Sequence, residues 1–87
     1  MGSVLMKYRI EIDKRAVKFI SKQPKLQRER ILKAIYNLPD IGDIKAMQGY
    51  SGFYRLRVGD YRVIYTIIED VLLIRVVEVG NRGDVYK

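Results

Sequence analysis

The spacing of apolar and polar residues changes several times along the chain, and each change marks an element. Tyr8, Ile10 and Ile12 alternate with Arg9 and Glu11, the two-residue period of a strand. Asp13 then stands where a helix N-cap belongs. Ala16, Val17 and Ile20 make one apolar side of the helix that follows, and Lys14, Lys18 and Lys22 recur every four residues as a basic ridge, most simply a solvated face. Pro24 suits the first turn of a second helix. Ile31, Ala34, Ile35 and Leu38 fall at i, i+3, i+4 and i+7, an amphipathic stripe that Pro39 ends. The very short link between the two helices predicts an antiparallel helical hairpin.

Residues 40–52 hold Gly42, Gly49 and Gly52 and read as a connection, with Asp40 and Asp43 as turn and helix-end residues. Three strand-like runs follow, Phe53–Val58, Tyr61–Ile68 and Val71–Val79, separated by Gly59-Asp60 and Glu69-Asp70. Two-residue separators predict tight hairpins. Gly59 at the first central position suits a type II′ turn, whereas Glu69-Asp70 is a poorer turn signal. The expected architecture is α+β: a strand, a helical hairpin, then a three-stranded antiparallel meander, with the helices packed on one face of the sheet. The pattern leaves open where the first strand pairs.

The 87 residues suffice for one domain. Gly2 and Ser3 ahead of a second methionine mark residues 1–5 as a remnant left by cloning, so that 6–87 form the domain. There is no Cys and no His, which removes disulfides, thiol chemistry and the commonest metal ligand and acid–base group. Acidic residues are dispersed, so no metal site and no cofactor are expected. No apolar run is long enough to span a membrane, and Met1 to Leu5 do not resemble a secretory signal. A cytoplasmic protein is the simplest expectation. The net charge of +7 points to a polyanionic partner.

The hairpin register places that charge. With Gly59 and Asp60 as loop residues, Val58 lies opposite Tyr61, Arg57 opposite Arg62, and Arg55 opposite Ile64. Opposed residues share a face, so Phe53, Arg55, Arg57, Arg62 and Ile64 lie on one side. Tyr54, Leu56, Val58, Tyr61, Val63, Tyr65 and Ile67 lie on the other, the natural seat for the helices and for core packing. Continued through Glu69-Asp70, the register sets Ile64 opposite Arg75 and adds Arg75 to the arginine face. Arg82 follows the last strand and can fold over its edge. Like charges directly opposed destabilise a sheet, whereas an anion between them relieves the cost, and Arg matches phosphate bidentately. Four arginines on one face favour an RNA- or phosphate-binding site over side chains that splay into water or pair with Asp60, Glu78 or Asp84. Phe53, on the same face, is placed either to stack on a nucleotide or to cover the sheet edge.

These residues also carry a resemblance. The run Gly49-x-x-Gly52-Phe53-Tyr54-Arg55-Leu56-Arg57-Val58-Gly59-Asp60-Tyr61-Arg62-Val63-Ile64-Tyr65 resembles the heart of the RelE/ParE toxin superfamily. So does the ending Val77-Glu78-Val79-Gly80-Asn81-Arg82-Gly83-Asp84-Val85-Tyr86, whose Gly-x-Arg-x-x-x-Tyr pattern points toward the RelE branch. The resemblance covers the chain from Met6. It implies a ribosome-dependent endoribonuclease that cuts mRNA in the A site and inhibits translation, and a cognate antitoxin protein as partner. It also implies functional basic residues at Arg55, Arg57, Arg62 and Arg82, with Tyr86 near the C-terminus.

Metal-free cleavage uses the 2′-hydroxyl as nucleophile on the adjacent phosphate and needs charge stabilisation, a base and a proton donor. Arg62, Arg82 and Tyr86 are the catalytic candidates; Arg55, Arg57, Arg75 and Phe53 are the RNA-binding candidates. Arg62 and Arg82 suit charge stabilisation. Tyr86 suits stacking, orienting the hydroxyl or exchanging a proton, the last only if neighbouring cations lower its pKa from about 10. Some RelE-like enzymes have Lys at Arg55 and Arg57, and Arg does not release a proton. A base here must therefore be Tyr86, a carboxylate or water. Two other expectations compete: a ParE-type toxin that poisons DNA gyrase, and a non-catalytic basic module that only binds nucleic acid.

Overall fold

The computed structural model describes residues 8–40 and 42–81. The segment 1–5, together with Arg82, Asp84 and Tyr86, lies outside the described residues. The described chain forms β1 (Arg9–Ile12), α1 (Lys14–Ser21), α2 (Lys25–Tyr36), β2 (Asp43–Ala46), β3 (Phe53–Val58), β4 (Tyr61–Ile68) and β5 (Leu73–Asn81). The strands make one five-stranded sheet in the order β1-β5-β4-β3-β2. β2 to β5 run antiparallel, and β1 pairs parallel with β5, Arg9 opposite Leu73 and Ile12 opposite Val76. Both helices pack on one face of this sheet, the α+β arrangement expected.

The core forms where apolar positions of different period meet. Ala16 and Ile20 of α1 and Ile31 and Ile35 of α2 close over Leu56, Val63, Tyr65, Ile74, Val76 and Val79 of the sheet. On β3 and β4 these are every second residue, so the alternate residues face away from the helices. Ile31, Ile35, Leu56, Val63, Ile74 and Val76 are wholly buried. Among the described residues, no helix is long and apolar enough to cross a membrane.

The connections correct three expectations. First, residues 43–46 are a strand: Asp43-Ile44-Lys45-Ala46 pairs with β3 and extends the meander to four strands. The segment carries a period-two alternation, but its brevity between glycines hides it. Second, β4 and β5 are joined by four residues, a single 3₁₀ turn over Glu69–Val71 followed by Leu72 in the left-handed region at φ 50°. Ile68 therefore faces Leu73, not Val71. Third, β5 carries a bulge: Ile64 faces Glu78 while Tyr65 faces Val76, leaving Val77 as the extra residue. The bulge lets Val76 and Val79, three apart, both reach the core. The β3–β4 turn is as expected, with Gly59 at φ 59°.

Asp13 occupies the N-cap position of α1 but makes no capping hydrogen bond. Its carboxylate instead accepts a hydrogen bond from Arg75 Nε at 3.0 Å, tying the start of α1 to β5.

Candidate nucleic-acid interface

The face opposite the helices is built in rows across the strands. One row runs Asp43, Arg57, Arg62, Gly80, and the next row on the same face runs Lys45, Arg55, Ile64, Glu78. The hairpin register read from Gly59-Asp60 is the observed one: Arg57 faces Arg62, Arg55 faces Ile64 and Val58 faces Tyr61. Three guanidinium groups from two neighbouring strands thus share adjacent rows, and neither described helix covers them.

Within this cluster the arginines differ. Arg57 is exposed, while Arg55 is only 8% exposed and lies beside Ile64, itself buried on the helix-free side. The Arg55 Nε is buried and has no hydrogen-bond partner among the described residues. Arg62 is half-buried. Among the described residues the partner of Arg55 and Arg57 is Asp43 on β2, 3.8 Å from each, and not Asp60 or Glu78; Asp84 lies outside the described residues. With β2 read as a loop, this carboxylate could not be placed beside the arginines.

Arg75 is on the same face but not in the cluster. It faces Thr66 on β4 and Glu11 on β1, two positions along β4 from the Ile64 first expected. A shift of two preserves the face, which is why a wrong register gave the right side. Thr66 is four residues from Arg62, about 13 Å at 3.3 Å per residue, and β5 is a further strand away. Arg75 sits in a separate shallow cleft with Asp13, Lys14 and Glu78, held by its bond to Asp13. Phe53 lies in the row of Thr66 and Arg75, between the two groups of charge, and is half-buried.

This fold and this sequence have counterparts. The family model for the ParE toxin of type II toxin–antitoxin systems matches residues 10–86. A chain assigned as toxin RelE1 in Methanocaldococcus jannaschii is 30% identical over 88 residues, covering 94% of this chain and 98% of its own. Among solved structures, the archaeal RelE–RelB complex from Pyrococcus horikoshii matches with a TM-score of 0.74 at 32% identity, covering 91% of this chain and 99% of that one. The isolated Escherichia coli RelE toxin matches with a TM-score of 0.72 at 27% identity, covering 91% and 90%. The chain belongs to the RelE/ParE toxin superfamily. It is a toxin of a toxin–antitoxin system.

Tyr54, Tyr61 and Tyr65 of this RelE/ParE toxin lie where the alternation put them, on the helix-covered side. Tyr54 and Tyr65 stack with ring centroids 5.5 Å apart, and Tyr61 packs edge-on against Phe19 while donating its hydroxyl to Gln23 Oε1 at 3.1 Å. Burial pushes the Tyr65 phenol up to about 12, with Tyr54 adding to the shift. A phenol so placed serves packing and not proton transfer. Arg55, Arg57 and Arg62 are therefore brought together, Arg75 is set apart, and Arg82 and Tyr86 lie outside the described residues. Asp43, Lys45 and Glu78 belong to the same face and were not singled out as site residues. The alternation within residues 43–46 was the available signal for the first two.

Proposed function

We propose that this toxin is a metal-independent endoribonuclease that cuts mRNA on the ribosome, in the cytoplasm, and is silenced by a cognate antitoxin. The observation that carries the reading is the opposed pair Arg57 and Arg62, with Arg55 one row away, on the helix-free face. An opposed like-charged pair is a folding cost that a bound phosphate relieves. The RelE chain from Pyrococcus horikoshii and that from Methanococcus jannaschii, 32% and 31% identical to this one, were both solved in complex with RelB, which supports an antitoxin partner.

The chemistry follows from the residue types. The 2′-hydroxyl attacks the adjacent phosphate, the bond to the 5′-oxygen breaks, and the products are a 2′,3′-cyclic phosphate and a 5′-hydroxyl. The hydroxyl proton leaves to a base, and the departing oxygen takes one from a donor. Arg57 and Arg62 neutralise the charge that builds on the phosphate oxygens, joined by Arg82; Arg55 and Phe53 hold the strand. Tyr86 orients the hydroxyl or exchanges its proton.

The match to a ParE family model favours a second reading, in which the target is DNA gyrase. Primer extension on translated mRNA, run beside a gyrase supercoiling assay, separates the two. The nuclease reading expects new message ends with supercoiling unchanged. Intact messages with reduced supercoiling overturn it.

A further inference from the structure

Asp43 stands directly opposite Arg57 across the β2–β3 ladder, on an outer strand of the sheet, with its side chain more than half exposed. Its carboxylate is divided between two guanidiniums: Oδ1 lies 3.8 Å from Arg55 Nη2, and Oδ2 lies 3.8 Å from Arg57 Nε. Both separations are ion pairs too long for hydrogen bonds. Arg75 shows the alternative, a direct 3.0 Å bond from Nε to Asp13. The cluster therefore holds an anion between two arginines without gripping it, while the buried Arg55 Nε has no hydrogen-bond partner among the described residues.

We propose that Asp43 is a resident stand-in for the phosphate of the nucleic acid, filling the seat between Arg55 and Arg57 in the free toxin and leaving it when a phosphodiester docks. This rests on reading the cluster as a nucleic-acid site and supplies its control. A carboxylate and a phosphodiester each carry one negative charge and present two terminal oxygens in a fork, the shape a guanidinium recognises. Exchanging one for the other leaves the charge of the cluster unchanged. Asp43 loses little by leaving, because it is exposed and its ion pairs are long. Arg55 is buried and stays, ready for the incoming oxygens. Without Asp43, the free protein would set Arg55, Arg57, Arg62 and Lys45 side by side on adjacent rows, where Glu78 is the other acidic residue among the described ones. Asp43 thus moderates repulsion in the free state at the expense of affinity for nucleic acid.

The test is fluorescence anisotropy with a short single-stranded RNA, 2′-O-methylated throughout so that it cannot be cut. Wild type is compared with Asp43→Asn, Asp43→Ser, Asp43→Glu and Asp60→Asn. Asp60 is exposed in the β3–β4 turn, so its variant makes the same change of formal charge without touching the seat. Asp43→Asn and Asp43→Ser are expected to bind about fivefold tighter. Asp43→Glu should stay near wild type, and Asp60→Asn should gain less than about twofold, as a screened charge does. Equal gains in Asp43→Asn and Asp60→Asn overturn the proposal, since they would reflect net charge alone. Weaker binding in both neutral variants at position 43 also overturns it, because Asp43 would then position the arginines and not compete for them. Message cleavage is measured separately. A wild type that cuts messages while the neutral variants bind no tighter loses the displaced carboxylate and keeps the nuclease. Tighter binding in a protein that cuts nothing keeps the carboxylate and loses the nuclease.

Discussion

The two faces of the sheet are made from the same strands by neighbouring residues, yet they obey opposite rules. On the covered face Leu56, Val63 and Tyr65 are apolar or aromatic, buried and fully engaged by the helices. On the open face their neighbours Arg55, Arg57 and Arg62 are crowded like charges, and Arg55 and Arg57 share one weakly held carboxylate. One face lowers the free energy of the chain by itself. The other gathers charge that, on the reading proposed above, a nucleic-acid phosphate meets. The open face repeats the contrast at its far end, where Arg75 has its own acid in direct contact and is structurally at rest.

Substitutions at adjacent positions should separate these two roles. The largest effect belongs to the covered face: Leu56→Ala leaves a cavity in the centre of the core and should cost about 3 kcal/mol in a urea unfolding curve. Next, Arg62→Ala on the open face should lower message cleavage about 100-fold, with a smaller shift of the urea midpoint than Leu56→Ala causes. An Arg62→Ala protein that unfolds as easily as Leu56→Ala and still cuts messages would erase the distinction. Arg75→Ala should cost up to about 1 kcal/mol of stability by releasing Asp13, while cleavage stays within about twofold; a large loss of cleavage would move Arg75 into the functional cluster. The smallest effect concerns pH. Tyr65 has its pKa raised to about 12 in the folded protein against the ordinary 10, so the fold binds that proton more tightly than the unfolded chain does. Its contribution to stability is complete below pH 10 and is lost as pH rises through 12. Alkaline unfolding followed by phenolate absorbance should show this, and Tyr65→Phe should flatten it.

Much of the molecule was legible because alternation is strong wherever a strand separates core from solvent. Phe53–Val58 and Tyr61–Ile68 were read to their ends, and Gly59 fixed their register through a backbone conformation that glycine adopts freely. The partner strand of Arg9–Ile12 was not legible, because parallel pairing between chain segments so far apart leaves no local signature. The β4–β5 connection misled because Glu69-Asp70 looks like a two-residue turn, whereas the chain spends two more residues and places Leu72 in a conformation leucine seldom adopts. The site was half legible. Its cations follow from period and register, but its anion does not, because Asp43 sits in a strand of four residues, too short to stand out from the glycines around it.

Placing β1 against β5 has a consequence for synthesis. The first strand described has its only ladder partner in the last, so Arg9 waits for Leu73 before it can be paired. α1 is tied to the same late segment through Asp13 and Arg75. A nascent chain therefore cannot close this sheet until the segment Leu73–Asn81 has left the exit tunnel, since contacts this distant in sequence form late. A toxin so built has no mature partial form: its fold is completed only once the strand from Leu73 is free to pair.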